Sequence, residues 1–240
     1  MNIIRTSGIA SMLLMLFFLL AFNKKSDEGI VSYTVDLQKE RVTMHWRGAN
    51  HKPLQSLDNL LAQLTAENKE VHFLMNAGMY DANYAPVGLY IENKVLMHKV
   101  NRVQQAAGNF YMQPNGVFAI SINNRPVLVP TEQYALADTI AFATQSGPML
   151  VLDGKINSLF APKSVNTNIR NGVGILPNGK ILFAMSKEEV TFYEFASYFK
   201  RLGCKYALYL DGAISRAYCP SCSWPQKGGA FGVMISVCAK

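Results

Sequence analysis

Four polar residues sit where short apolar runs begin or end, each beside glycine. They are Asn76 in Asn76-Ala77-Gly78, Ser146 in Gln145-Ser146-Gly147-Pro148, Arg170 ahead of Asn171-Gly172-Val173-Gly174, and Asp211 in Asp211-Gly212. A carboxylate directly after a buried strand is held rigidly at the edge of a sheet, where a site can use it. Glycine at such places lets backbone N–H groups come close to a ligand. An arginine offers a planar fork of donors that suits a phosphate or a carboxylate. Asp211 is therefore the leading candidate acid or base, and Arg170 the leading candidate anion contact. A single strand-Asp-Gly reads as a turn, but four such stretches in one chain pose the question whether they converge.

Other catalytic signals are absent from the sequence, which has no P-loop, GxGxxG, HExxH or GxSxG pattern. His45, His51, His72 and His98 have no metal-ligand spacing, so neither a metal nor a cofactor is expected. Ser146 has no local base, so a nucleophilic serine is not expected.

The elements that must position these residues are mostly strands. Residues 30–37 and 42–47 alternate apolar and polar side chains and read as a pair of strands. Residues 56–67 place Leu57, Leu60, Leu61 and Leu64 on one helical face, with Ser56 as a cap. Residues 71–75 form a buried strand that delivers Asn76. Residues 87–92 and 95–100 predict a hairpin around Asn93-Lys94. Short strands follow at 109–112, 116–122, 126–129, 140–144 and 149–152, then a loop over 162–170 and a hairpin of 171–176 with 180–186. Phe192, Phe195, Ala196, Phe199 and Leu202 make the apolar stripe of a second helix, ended by Gly203. Strands at 206–210 and 231–237 close the chain. Many strands, about two helices and no regular βα alternation predict an α+β fold, one domain of twisted mixed or antiparallel sheet.

Half of the 240 residues are hydrophobic and 16% are charged, which excludes a disordered chain. The net charge of +7 is scattered, without a basic block interleaved with aromatics, so nucleic acid is not the expected partner. Arg5 precedes an apolar run from Ile9 to Phe22, of signal-peptide length and shorter than the ~20 residues of a comfortable membrane span. Residues 1–22 are therefore expected to be a signal peptide or anchor that engages the export machinery or a membrane, and residues 23–240 the exported domain.

Export favours disulfides among Cys204, Cys219, Cys222 and Cys238. Cys204 precedes the strand at 206–210, and Cys238 follows the strand at 231–237. Antiparallel pairing of those strands would bring the two together. The expectation is Cys204–Cys238, with Cys219–Cys222 closing a small ring.

In order, the stretches NAGMY, APVGLY, QSGPMLVLDGKI, NIRNGVGILPNGKILFAMS and LGCKYALYLDGAIS resemble the phosphodiester glycosidase family, over roughly Val71 to Val237. Carried over by position, the resemblance implies substrate contacts at Asn76, Gly78, Gln145, Ser146, Gly147, Gly212 and Ser215, with Arg170 and Asp211 catalytic. Ala77, Asn171 and Ala213-Ile214 depart from the family pattern, which prefers Gly, Thr and two Gly there. The implied reaction is hydrolysis of a sugar-1-phosphodiester at the glycosidic carbon. A glycosidase usually uses two carboxylates, and Asp81, Glu92, Asp153 and Glu188 are the candidates for a second. The rival expectation is a non-catalytic protein of the same fold that binds envelope glycan or exopolysaccharide. The implied partner is a phosphosugar or surface glycan.

Overall fold

The computed structural model describes residues 28–211 and 214–240, so the expected signal segment at residues 1–22 lies outside the described residues. The domain is α+β and mainly sheet, as its sequence predicts. Among the described residues, sixteen strands form three sheets whose strand pairings are antiparallel.

The first sheet joins β1 (Ile30–Val35), β12 (Ile181–Ser186), β11 (Asn171–Ile175), β13 (Ala207–Tyr209), β9 (Met149–Leu152) and β10 (Lys155–Ile156) in that order. The second runs β15 (Trp224–Pro225), β14 (Ala217–Cys219), β3 (Val71–Asn76), β16 (Met234–Ala239) and β2 (Glu40–His45). The third runs β5 (Val95–His98), β4 (Tyr90–Glu92), β8 (Ile140–Ser146), β6 (Gly116–Ser121) and β7 (Pro126–Pro130).

All three sheets wall one core, to which Phe183, Phe73 and Phe118 each contribute a fully buried ring. Successive residues of a strand face opposite ways, so each sheet also has an outer face to cover. In β12, Phe183 and Met185 face the main core, while Leu182 and Ala184 face a second cluster. That second cluster is closed by helix α2 (Phe192–Arg201) through Phe195 and Phe199. Helix α1 (Leu57–Ala66) covers the second sheet, packing Leu57, Leu60 and Leu64 on Leu74 and Met234. This double burial is why β12 and β16 read as continuous apolar runs rather than alternating ones.

Both helix starts are fixed locally. The Ser56 hydroxyl accepts from the Asn59 N–H at 3.3 Å. Thr191 and Glu194 form a capping box: Thr191 Oγ1 accepts from the Glu194 N–H, and Glu194 Oε2 accepts from the Thr191 N–H. Such caps contribute about 1 kcal/mol each. Gly203 ends α2 at φ +80°, a conformation that costs glycine little.

Three sequence expectations differ from the structure. The first two strands exist, but they do not pair with each other: β1 pairs with β12 and β2 with β16. The faces they must bury belong to different sheets. Residues Asn109–Tyr111 form a 3-10 turn rather than a strand. The third difference concerns the cysteines. Cys219 and Cys222 are bonded as expected, but Cys204 and Cys238 are separate buried thiols. The strand after Cys204 pairs with β11 and β9 in the first sheet, whereas Cys238 lies in β16, between β2 and β3 of the second. Cys204 packs in the α2 cluster and Cys238 in the α1 cluster.

Candidate active site

The strands deliver their polar ends to one junction between the three sheets. In the β11–β13 ladder Gly172 stands opposite Tyr209, and the Leu210 N–H donates to the Asn171 carbonyl at 3.1 Å. Arg170 and Asp211, one residue further along each strand, therefore leave the same end of the ladder. Asn171 ties this end to the second sheet. Its Nδ2 donates to the Asn76 carbonyl at 2.8 Å, and its Oδ1 accepts from the Asp211 N–H at 2.8 Å. Asn76 Oδ1 in turn accepts from the Arg216 N–H at 2.9 Å.

The third sheet joins through Ser146, whose hydroxyl donates to the Leu210 carbonyl. Ser215 Oγ lies 2.7 Å from the Asp211 carbonyl and 3.2 Å from that of Ile169. Asn76, Ser146, Arg170, Asp211 and Ser215 thus belong to one neighbourhood, with Asn171 at its centre. Gly212 lies outside the described residues.

Gln145, Gly78 and Gly147 are held by contacts inside the protein. Gln145 Oε1 accepts from the Leu89 and Asn101 N–H groups, and its Nε2 donates to the Asn101 carbonyl and Thr131 Oγ1. A Cβ on Gly78 would stand 2.7 Å from the Gln145 carbonyl, and one on Gly147 2.6 Å from Asn115 Cβ. Close backbone approach at these two turns already needs glycine for packing.

Arg170 is wholly buried. Its guanidinium carbon lies 3.6 Å from the centroid of the Phe192 ring and 5.6 Å from that of Tyr209. Nε donates to the Val190 carbonyl at 2.8 Å, and Nη2 to the Asn166 carbonyl at 3.0 Å. Nη1 and the Tyr209 hydroxyl are both buried and neither completes a hydrogen bond of good geometry, although the two groups are near enough to interact. Asn76 Nδ2 and Arg216 Nε, on the second-sheet side of the junction, are also buried and unpartnered. Burial lowers the Arg170 pKa, although an arginine stays charged. Burial pushes the Tyr209 hydroxyl far up; Arg170 opposes that shift and the charge of Asp211 adds to it. Tyr80 is raised to about 12, first by burial and then by Asp211. The Asp211 carboxylate therefore stands within electrostatic reach of both phenols.

Buried polar atoms are paired in nearly all folded proteins. Incompletely bonded donors on Arg170, Tyr209 and Asn76, near the Asp211 carboxylate, make this junction the candidate site. Among the described residues no three His, Cys, Asp or Glu side chains gather as a metal site would require.

Sequence reasoning overlooked Asn171, Tyr209, Tyr80 and Arg216 as parts of this junction. A usable signal existed for one of them. Tyr209 is two residues before Asp211, hence on the same face of the same strand.

An α+β protein of three sheets, with polar strand ends gathered at one junction, is the class that fold and site define. A model of the phosphodiester glycosidase family matches residues 69–229, and the chain belongs to that family. It is 40% identical over 209 residues to the uncharacterized protein YigE of Escherichia coli (strain K12), covering 87% of this chain and 81% of that one. Among solved structures it is similar to the catalytic domain of zebrafish N-acetylglucosamine-1-phosphodiester alpha-N-acetylglucosaminidase auto-inhibited by its pro-peptide. That match has a TM-score of 0.57 and 13% identity, over 87% of this chain and 82% of that one. It is also similar to a putative exported protein of Burkholderia pseudomallei K96243, with a TM-score of 0.61 and 11% identity over 98% and 81% of the two chains. At such identities the likeness is one of fold.

Proposed function

We propose that this protein is an exported hydrolase that cleaves the glycosidic bond of a sugar-1-phosphodiester. The carrying observation is Arg170 Nη1, buried without a hydrogen bond of good geometry at the same ladder end as Asp211. In this reading Arg170 and the Tyr209 hydroxyl hold the phosphodiester, and Asn76, Ser146 and Ser215 shape the sugar side.

Water attacks the anomeric carbon, and the bond from that carbon to the phosphate oxygen breaks. The sugar leaves as the free reducing sugar and the other product is a phosphomonoester. A phosphate leaving group is weakly basic, so little general acid is needed. Asp211 takes the proton of the attacking water or stabilises positive charge on the sugar. Arg170 stabilises the charge that builds on the departing phosphate.

Among the four candidates for a second carboxylate, Asp153 is tied to Tyr206 and Lys205 at the surface. Asp81 Oδ1 accepts from the N–H groups of Asn83 and Ala85 in its own turn. Glu92 accepts from the Tyr90 hydroxyl at 2.6 Å, and burial raises its pKa. Glu188 is exposed. These placements support a mechanism carried by Asp211. The apolar stretch at residues 9–22 and the Cys219–Cys222 bond support an exported setting, periplasmic, secreted or envelope-associated.

The test is to incubate the protein with a panel of sugar-1-phosphodiesters and measure reducing sugar and phosphomonoester together. Equal release of both is expected. Saturable binding of the panel with no release would instead make this a glycan-binding protein of the same fold.

A further inference from the structure

The outer face of the third sheet is covered differently from the other two. Val117 and Ala119 of β6, with Leu89 and Ala143, form a small cluster closed by Tyr134 and Val100 from two loops. Neither described helix contributes to it. Beside that cover lies a pocket of about 320 Å³, walled by Leu89, Leu96, Val100 and Leu136. Ligand pockets usually span ~300–1,000 Å³ and are mainly apolar with a few placed polar groups. In the wall of this one, apolar side chains stand in water: Leu96 is 42% exposed and Leu136 58%. Exposed apolar side chains lining one pocket mark a surface that binds something.

The polar groups of the pocket say what that is. Lys99, Arg102 and Tyr134 also line it, and the lining contains no carboxylate. Tyr134 is 6% exposed, and its hydroxyl is buried with no hydrogen-bond partner. An orphaned donor in an apolar pocket calls for an acceptor from outside. Arg102 is held in place by its own bonds, Nη1 to the Thr131 carbonyl at 2.9 Å and Nη2 to the Tyr134 carbonyl at 3.1 Å. Much of its fork is therefore committed, and what remains, with the Lys99 ammonium and one hydroxyl, matches a single carboxylate better than a phosphate.

We propose that this pocket binds a medium-chain fatty acid, with the alkyl chain along Leu89, Leu96, Val100 and Leu136 and the carboxylate at Lys99, Arg102 and the Tyr134 hydroxyl. The site is separate from the Asp211 junction, which lies at the ends of strands of the first sheet. The two are in mechanical contact through Gln145, because its side chain accepts from the Leu89 N–H and donates to Thr131 Oγ1, while Ser146 follows it in β8.

Calorimetric titration of the protein with laurate, below the concentration at which laurate forms micelles, tests the proposal. One saturable site per chain is expected. Leu136→Asp and Lys99→Glu should each weaken it by ~10-fold or more, and Tyr134→Phe by a few-fold. Leu136 and Lys99 are exposed, so their variants should keep the native circular dichroism spectrum. Dodecyl maltoside, with a similar chain and no charge, should compete poorly. Absence of saturable uptake, equal binding of dodecyl maltoside, or unchanged affinity in Leu136→Asp each overturns the proposal. Tighter binding of dodecyl phosphate overturns the carboxylate assignment. A concentration-dependent dimer abolished by Leu96→Asp would give the surface to a second copy of the chain instead.

Discussion

Gln145 and Arg170 are nearly equal in burial, at 1% and 0% exposed, and both stand at strand ends that the sequence singles out. They differ in what is left over. An amide has two donor and two acceptor positions, and Gln145 fills all four with Leu89, Asn101 and Thr131. Its bonds pin residues 89 and 101 to β8. Arg170 fills Nε and Nη2 and leaves Nη1, buried, without a hydrogen bond of good geometry. Burial alone does not separate a structural pin from a ligand contact; the incompletely bonded donor does, because a buried N–H without a good hydrogen bond costs about 1–3 kcal/mol that a bound anion would recover.

This contrast is open to direct attack. The largest effect is expected on the ligand side. Asp211→Asn should lower turnover of a sugar-1-phosphodiester by ~10²–10⁴-fold while the denaturant midpoint stays put. Turnover near wild type would move the chemistry to another group.

Arg170→Lys keeps the charge but loses the fork and the stacking on Phe192. Steady-state kinetics should show kcat/KM lowered by ~10–100-fold, with kcat falling because the charge on the departing phosphate is less well held. A drop in stability with unchanged kinetics would make Arg170 a structural pin like Gln145.

On the structural side, Gln145→Ala should cost about 2–3 kcal/mol in urea unfolding, because it leaves buried N–H groups unpaired. Turnover per folded molecule should change little. Loss of turnover at full stability would put Gln145 among the ligand contacts after all.

The smallest effect concerns a satisfied cluster far from any ligand role. Glu40 accepts from Tyr33 at 2.5 Å and from His72 Nδ1 at 2.7 Å, joining the first sheet to the second. The Glu40 hydrogen bond raises the His72 pKa above its ordinary 6.5. The folded protein thus holds this proton more tightly than the unfolded chain. The stabilisation is complete below about pH 6.5 and is lost as pH rises through the higher folded value. His72→Gln should therefore be less stable than wild type at pH 5.5, by under about 1 kcal/mol for a partly exposed pair. The gap should close on the alkaline side of that folded value. A gap independent of pH would show that packing rather than charge carries the contribution.

Much of the fold was legible in the chain because it is written in local periodicity. The leucine stripe of α1 with its Ser56 cap, the phenylalanine stripe of α2 ended by Gly203, and the hairpins at Asn93-Lys94 and Pro177-Asn178-Gly179 each depend on residues close in sequence. The strand-end positions Asn76, Ser146, Arg170 and Asp211 were visible for the same reason, since each follows or opens an apolar run.

Pairing between distant strands has no such local record. A strand's alternation says which side chains must be buried, but not against which partner, and three sheets around one core offer several. That choice separated β1 from β2 and set Cys204 and Cys238 in different clusters, where antiparallel neighbours had been expected. It also made Asn171 the link between Asn76 and Asp211, and placed Tyr209 between Arg170 and Asp211. In sequence Asn171 is an arginine's neighbour and Tyr209 one more strand aromatic. Only the packing of three sheets, which decides which buried donors find partners and which do not, turns them into parts of a site.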